Sequence, residues 1–164
     1  MSRYIVVRDE RLCKWCLACM AKCKKMNQLK DKVRMTEPFE GSPLRDGLQQ
    51  LAVMTCHHCA APLCLEACTR GAVYRTQDGV VMVRDELCDG CGACVEACPW
   101  HVPVVPEGGP MDKCTLCDGR AANGDTPECV KACRQNALKL VRADEAASEG
   151  FKKSGLTDIL LDQA

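Results

Sequence analysis

Short β-branched runs alternate with polar turns along this chain, and two of the runs are near copies of each other. Residues 4–13 read Tyr-Ile-Val-Val-Arg-Asp-Glu-Arg-Leu-Cys, and residues 80–88 read Val-Val-Met-Val-Arg-Asp-Glu-Leu-Cys. Both runs suit a half-buried pleated surface, so each is predicted to be a strand that feeds a cysteine loop. A second repeat relates 68–74, Cys-Thr-Arg-Gly-Ala-Val-Tyr, to 133–139, Cys-Arg-Gln-Asn-Ala-Leu-Lys. It predicts, in both places, a helical turn closed at Gly or Asn and followed by a strand. Residues 72–83 put two strand-like runs around Asp78-Gly79, the strongest short hairpin signal. By the same repeat, the strand at 138–141 is expected to pair with the one at 4–8, enclosing the hairpin. An α+β architecture of two nested units is predicted.

Elsewhere the patterning is weaker. Residues 24–54 carry Lys24, Lys25, Lys30, Lys32 and Arg34, then Pro38, Gly41, Pro43 and Gly47, and read as a loop that ends in a strand over 48–54. The tail over 143–164 holds Leu156, Ile159 and Leu160 at i, i+3 and i+4, a short helical stripe. One stripe of that size does not fold alone, so the tail is expected to pack on the chain's own surface or on a partner.

The candidate chemistry lies in 16 cysteines arranged as four groups of four, with none left over. Cys88, Cys91, Cys94 and Cys98, followed by Pro99, have the spacing C-x2-C-x2-C-x3-C-P. In that spacing three thiolates from one loop hold a 4Fe-4S cube and the fourth reaches a neighbouring cube. Cys13, Cys16, Cys19 and Cys23 repeat it without the proline. Cys56, Cys59, Cys64 and Cys68 lengthen the middle gap to four, and Cys114, Cys117, Cys129 and Cys133 lengthen it further. Zinc is the serious rival, because four thiolates also satisfy a tetrahedral ion, although structural zinc usually takes two separated C-x2-C pairs. The complete set of cysteines argues against a 3Fe-4S site.

Composition and charge narrow the picture. With only 2 Trp, 2 Tyr and 2 Phe in 164 residues, large side chains cannot build much of an interior. Clusters are therefore expected to form part of the core and to be coupled to folding. The cysteine content would suit a disulfide scaffold in a secreted chain. The first nine residues, however, show neither a signal-length apolar run nor a twin arginine, and no apolar stretch reaches the length of a membrane span. The expectation is a cytoplasmic protein whose thiols are metal ligands. The 22 basic and 22 acidic side chains balance, so no global field recruits nucleic acid. Bound cubes would add negative charge, which Lys14, Lys22, Lys24, Arg70, Lys113 and Arg134 could offset. For each taken singly, an ordinary solvated charge is the competing reading.

Three stretches, taken in this order, resemble one family. They are 56–68 (Cys56-His-His-Cys59-Ala-Ala-Pro-Leu-Cys64-Leu-Glu-Ala-Cys68), 88–103 with Pro99-Trp100-His101, and Lys113-Cys114-Thr-Leu-Cys117 with Pro127-Glu-Cys129-Val-Lys-Ala-Cys133. The family is that of the four-cluster, ferredoxin-like electron-transfer subunits of molybdenum and tungsten pterin oxidoreductases, the dimethyl-sulfoxide-reductase type of iron-sulfur subunit. The resemblance spans nearly all of 4–141, and the departures are the missing prolines after Cys23, Cys68 and Cys133. It implies two ferredoxin-like modules, an outer one of 1–47 and 106–142 and an inner one of 48–105, with the tail outside both. It also implies four ligand sets: Cys13, Cys16, Cys19 and Cys133; Cys114, Cys117, Cys129 and Cys23; Cys56, Cys59, Cys64 and Cys98; and Cys88, Cys91, Cys94 and Cys68. These are clusters 1 to 4 below. The implied partner is a catalytic molybdenum or tungsten pterin subunit. The short, anchor-free form resembles subunits of tungsten aldehyde oxidoreductases and their aromatic-ring-reducing relatives, and a flavin subunit or ferredoxin is a possible second carrier. Soluble formate and carbon monoxide dehydrogenases use similar subunits, and a free polyferredoxin or maturation protein is the alternative of a different class.

The remaining features are assigned lesser roles. No nucleotide-phosphate loop and no acid–base or nucleophile constellation is present, so the chain is expected to be non-catalytic. Gly90 and Gly92 are expected to turn the backbone tightly and aim amides at sulfur. Loops without glycine, such as 13–19 with Lys14 and Trp15, are expected to differ in potential. His57, His58 and His101 read as ordinary residues rather than ligands, since each cube already has four cysteines. Trp15 and Trp100 read as cluster shields. Residues 118–128, with Gly119, Gly124 and Pro127, read as a cover over one cluster.

Overall fold

The computed structural model describes residues 4–9, 12–14, 16–27, 55–99 and 102–143. The strand expected over 48–54, most of the 24–54 loop, the tail helix, Trp15, Trp100 and His101 lie outside these residues. Strands β1 (Tyr4–Arg8) and β4 (Leu138–Arg142) form one antiparallel pair, with Val6 opposite Leu140 and Arg8 opposite Leu138. Strands β2 (Val73–Arg75) and β3 (Val81–Val83) form the other, closed by the Asp78-Gly79 turn with Gly79 at φ 81°. Both pairings are the ones the repeats predict.

Four short helices follow the cysteine loops: α1 (Ala18–Met26), α2 (Leu63–Glu66), α3 (Ala93–Ala97) and α4 (Glu128–Ala132). Each carries the first cysteine of an x3 pair, and each of α2, α3 and α4 ends before the second, so a single turn sets the spacing between the two thiols. Helix α1 packs on α4, and α2 packs on α3. Glu128 ties the first pair together, accepting from Lys131 at 3.1 Å and lying 3.6 Å from Lys22. Two turns of the second repeat also appear as predicted, with Gly71 at φ 64° and Asn136 at φ 52° before the strands that follow.

Two core clusters share one strand. Val80, just before β3, is buried with Val6, Leu116, Ala121, Cys129 and Leu138, and Met82 packs on the same cluster. Val81 is buried with Val73, Cys94 and Met111, and Val83 packs there. Successive strand residues point to opposite faces, so the run Val80-Val81-Met82-Val83 contributes alternately to two cores. Cysteines belong to both: Cys129, with Cys19 and Cys133 against it, in the first, and Cys94, with Cys64, Cys68 and Cys88, in the second.

The free edge of β3 is closed by side chains rather than by a third strand. Val81 N–H donates to His58 Nδ1 at 3.0 Å, and the Val81 carbonyl accepts from Lys113 Nζ, which also donates to the Cys114 carbonyl at 3.1 Å. Both side chains are buried, His58 at 0 % and Lys113 at 5 % exposure. A buried backbone polar group needs a partner, and here two residues from cysteine loops supply it. Because Nδ1 accepts, the neutral ring of His58 carries its proton on Nε2. The solvated-surface reading of Lys113 is thereby overturned, whereas Lys14, Lys24, Arg70 and Arg134 are exposed.

Candidate metal centres

The sixteen thiols are brought together in four quartets, each made of three cysteines from one loop and one from another. Cys13, Cys16, Cys19 and Cys133 line one small cavity. Cys88, Cys91, Cys94 and Cys68 line a second. Cys114, Cys117, Cys129 and Cys23 line a larger one of about 470 Å3, which also takes in Asp118 and Pro127 from the stretch expected to be a cover. Cys64 lies within electrostatic reach of Cys56, Cys98 and Cys59, the fourth set. All sixteen cysteines are free thiols.

Exposure grades the quartets. Cys16 and Cys91, which occupy equivalent places in the sequence repeat, are exposed, whereas Cys23, Cys56, Cys94, Cys117 and Cys129 are buried. Burial pushes the thiols of Cys114 and Cys129 up to about 12, and those of Cys64 and Cys23 up to about 11, because a thiolate loses its hydration there. Neighbouring thiols add to this. Cys114 feels Cys56, Cys129 feels Cys114 and Cys23, and Cys19 lies near Cys13 and Cys133. A deprotonated thiol is the metal ligand, so interior sites of this kind need a cation to collect their charge.

Donors to sulfur are already in place. Asn27 Nδ2 donates to Cys23 Sγ at 3.1 Å, Met111 N–H to Cys88 Sγ at 3.3 Å and His58 N–H to Cys56 Sγ at 3.4 Å. Cys68 is a thiol held below its ordinary value. Burial is the largest single influence and acts upward, but the amides of Val73, Ala72, Arg70 and Gly71 together outweigh it. Between the second and third cysteine loops, Arg70 Nε donates to Asp89 Oδ2 at 2.7 Å while Asp89 Oδ1 accepts from Cys91 N–H at 3.2 Å. The Arg75 guanidinium donates to the carbonyls of Cys59 and Ala60, clamping that loop to β2.

The loops reach this geometry through left-handed residues. In C-x-x-C turns the residue before the second cysteine has positive φ at His58 (45°), Gly90 (72°) and Leu116 (51°), and the residue after it does so at Leu17 (57°), Gly92 (82°) and Asp118 (60°). Only two of these six are glycine, so the sequence marks the turn in one loop alone. An added Cβ at Gly90 would lie 3.0 Å from the Gly109 carbonyl oxygen and 3.4 Å from Val105 Cγ1, while none would be met at Gly92. Gly90→Ala and Gly92→Ala each carry the left-handed cost of about 1–2 kcal/mol. Only Gly90→Ala adds a tight approach to backbone, so anaerobic melting of the loaded protein is expected to show the larger fall in Tm for that variant. Equal falls would show that the close approach is inconsequential.

The donor set fits iron-sulfur cubes. In three of the quartets the four thiols line a cavity instead of converging on a point, and among the described residues no group of three or more His, Cys, Asp or Glu side chains is close enough to hold a single metal ion. Residues 49–143 match the model of the 4Fe-4S dicluster domain family. The sequence is 38% identical over 152 residues to the thiosulfate reductase electron transfer subunit PhsB of Salmonella typhi, covering 88% of this chain and 79% of that protein. It is 32% identical over 157 residues to one of the chains of the anaerobic dimethyl sulfoxide reductase of Haemophilus influenzae (88% and 77%). It is 38% identical over 120 residues to one of the subunits of the tetrathionate reductase of Archaeoglobus fulgidus (73% and 57%).

The class is therefore that of ferredoxin-like iron-sulfur proteins. This protein belongs to the 4Fe-4S dicluster family, and its relatives include the electron transfer subunit of a thiosulfate reductase. Its cofactors are 4Fe-4S clusters, and its sixteen cysteines fit four of them. Among the described residues no helix is long and apolar enough to cross a membrane.

Proposed function

We propose that the chain is a non-catalytic wire that passes single electrons between a molybdenum or tungsten pterin subunit and a second carrier, either a flavin subunit or a ferredoxin. The observation that carries this is the graded burial of the four quartets. Cluster 2 has three buried thiols, Cys23, Cys117 and Cys129, and cluster 3 has one, Cys56, with none exposed in either, whereas clusters 1 and 4 each keep one exposed thiol, Cys16 and Cys91. Cys114 and Cys56 are electrostatic neighbours. Cys19 lies near Cys23 and Cys129 on one side, and Cys64 shares a core with Cys94 on the other, so the quartets follow one another in the order 1, 2, 3, 4. When bound, the cubes supply the one-electron chemistry, and the polypeptide sets their spacing, access and potential.

In this reading each quartet ligates one cube, with Cys133, Cys23, Cys98 and Cys68 crossing between loops. The modules are 1–47 with 106–142, and 48–105 inserted between them, with β3 as the common wall, and the tail over 143–164 docks on the partner or on the chain itself. The cytoplasm is the proposed compartment, since free thiols in such number call for reducing conditions. The names of the relatives support a reductase of a small sulfur compound as the catalytic partner. A tungsten enzyme of the aldehyde-oxidoreductase type, or its aromatic-ring-reducing kind, is the finer proposal raised by the sequence, and those names lend it no support. Formate and carbon monoxide dehydrogenases, and a free polyferredoxin or maturation role, stand further off.

The test is metal and sulfide analysis of the anaerobically isolated native complex. About sixteen iron and sixteen acid-labile sulfide per chain are expected, together with a large subunit carrying molybdenum or tungsten. The metal names the partner's type. A chain isolated alone would favour a free carrier, and zinc or cystines in place of iron would end the proposal.

A further inference from the structure

Lys113 has no place among the ligands, yet it is buried beside thiols of clusters 2 and 3, the two quartets with no exposed thiol. It is 5 % exposed, immediately precedes Cys114, and is fixed by the carbonyls of Val81 and Cys114. Its charge is felt by Cys114 of cluster 2 and by both Cys56 and Cys64 of cluster 3. Among the described residues no carboxylate is paired with it. An ammonium taken out of water without a counter-ion is costly by several kcal/mol, and two carbonyl dipoles do not neutralise it. The neighbours able to do so are the thiolates on its two sides. Cys56 and Cys114, in turn, are the pair through which two negatively charged sites would face each other across a poorly screened interior.

We infer that Lys113 is a shared cationic bridge that raises the reduction potentials of clusters 2 and 3 together, keeping the middle of the wire from becoming a barrier. Adding an electron to either site increases negative charge next to a fixed positive one, so the reduced form gains more than the oxidised form. The same charge offsets the repulsion that an electron on one site exerts on the next. Lys113 is thus a positioning residue acting through charge, and His58, which accepts from the same residue of β3, holds that strand edge without contributing charge. This rests on the ligand sets proposed above.

The experiment is a potentiometric titration of the anaerobically isolated full chain, followed by electron paramagnetic resonance, for the native protein and for Lys113→Met, Lys113→Gln and Lys113→Arg. The native chain must first show about sixteen iron; if it does not, the ligand reading has failed and not this inference. In the Met and Gln variants two of the four clusters are expected to become at least tenfold harder to reduce at fixed poise, about 59 mV for one electron, while the other two hold within a small fraction of that. Gln keeps hydrogen-bond donors without the charge, so its agreement with Met isolates the charge, and Arg is expected to restore native potentials. Full iron with unchanged potentials in the neutral variants would overturn the inference, as would an equal shift of all four clusters. If both neutral variants failed to load while Arg loaded, Lys113 would be an anchor for assembly and not a setter of potential.

Discussion

Anaerobic removal of iron, with the thiols kept reduced, is expected to unfold most of the described structure rather than leave an empty scaffold. The two cores are small, and cysteines sit inside both: Cys129 among Val6, Val80, Leu116 and Leu138, and Cys94 among Val73, Val81 and Met111. The helices that carry them run for 4 to 9 residues, too short to persist without packing. Without the cubes, cysteine-lined cavities are left in a body that has few large side chains to close them. In structural zinc domains metal binding supplies about 10–16 kcal/mol of folding free energy, and the same coupling is expected here. Circular dichroism should show the helical signal falling away on chelation, and calorimetry should show the melting transition disappearing. A cooperative melt in the iron-free chain would prove that side-chain packing alone suffices.

Cys129→Ser is expected to cost more than the loss of one cluster. The variant places a hydroxyl in an apolar site beside Val6 and Leu138, the residues that seat β1 against β4. A buried hydroxyl without a partner costs about 1–3 kcal/mol, in addition to the missing ligand. Iron should fall by about four atoms per chain, and electron delivery through the protein should stop, while a partner enzyme fed by an artificial dye keeps its turnover. Cys91→Ser alters an exposed thiol and should leave the other three quartets loaded. Iron content and dye-independent activity, measured on both variants, distinguish the two positions. Full iron in Cys129→Ser would remove Cys129 from the ligand set.

Much of this architecture could be read from the sequence because the chain repeats itself. The copies at 4–13 and 80–88, and at 68–74 and 133–139, mark both strand pairs, and Asp78-Gly79 marks the hairpin. Cysteine spacing marks the four loops, while the crossing of the fourth cysteine in each set comes from the family resemblance, and three of those sets line cavities. What escaped the reading has no local signature. His58, Leu116 and Leu17 adopt left-handed backbone where glycine would be expected, because the surrounding loop dictates the turn. Lys113 and His58 resemble ordinary polar residues next to cysteines, and their roles depend on β3 presenting an edge that only the tertiary fold brings to them. Asn27, a donor to Cys23, was hidden for the same reason.

The pairing of β1 with β4 imposes a timetable on biogenesis. A ribosome extends a polypeptide by about 5–20 residues per second, so Tyr4–Arg8 emerges many seconds before Leu138–Arg142, the strand it must join. Until then the first cysteine loop has no Cys133 beside it, whereas the hairpin of β2 and β3 and the loops around it can close early. Cofactor insertion into the nascent protein would therefore run from the middle outward, and the loop that follows β1 would be the last to be sealed from oxygen.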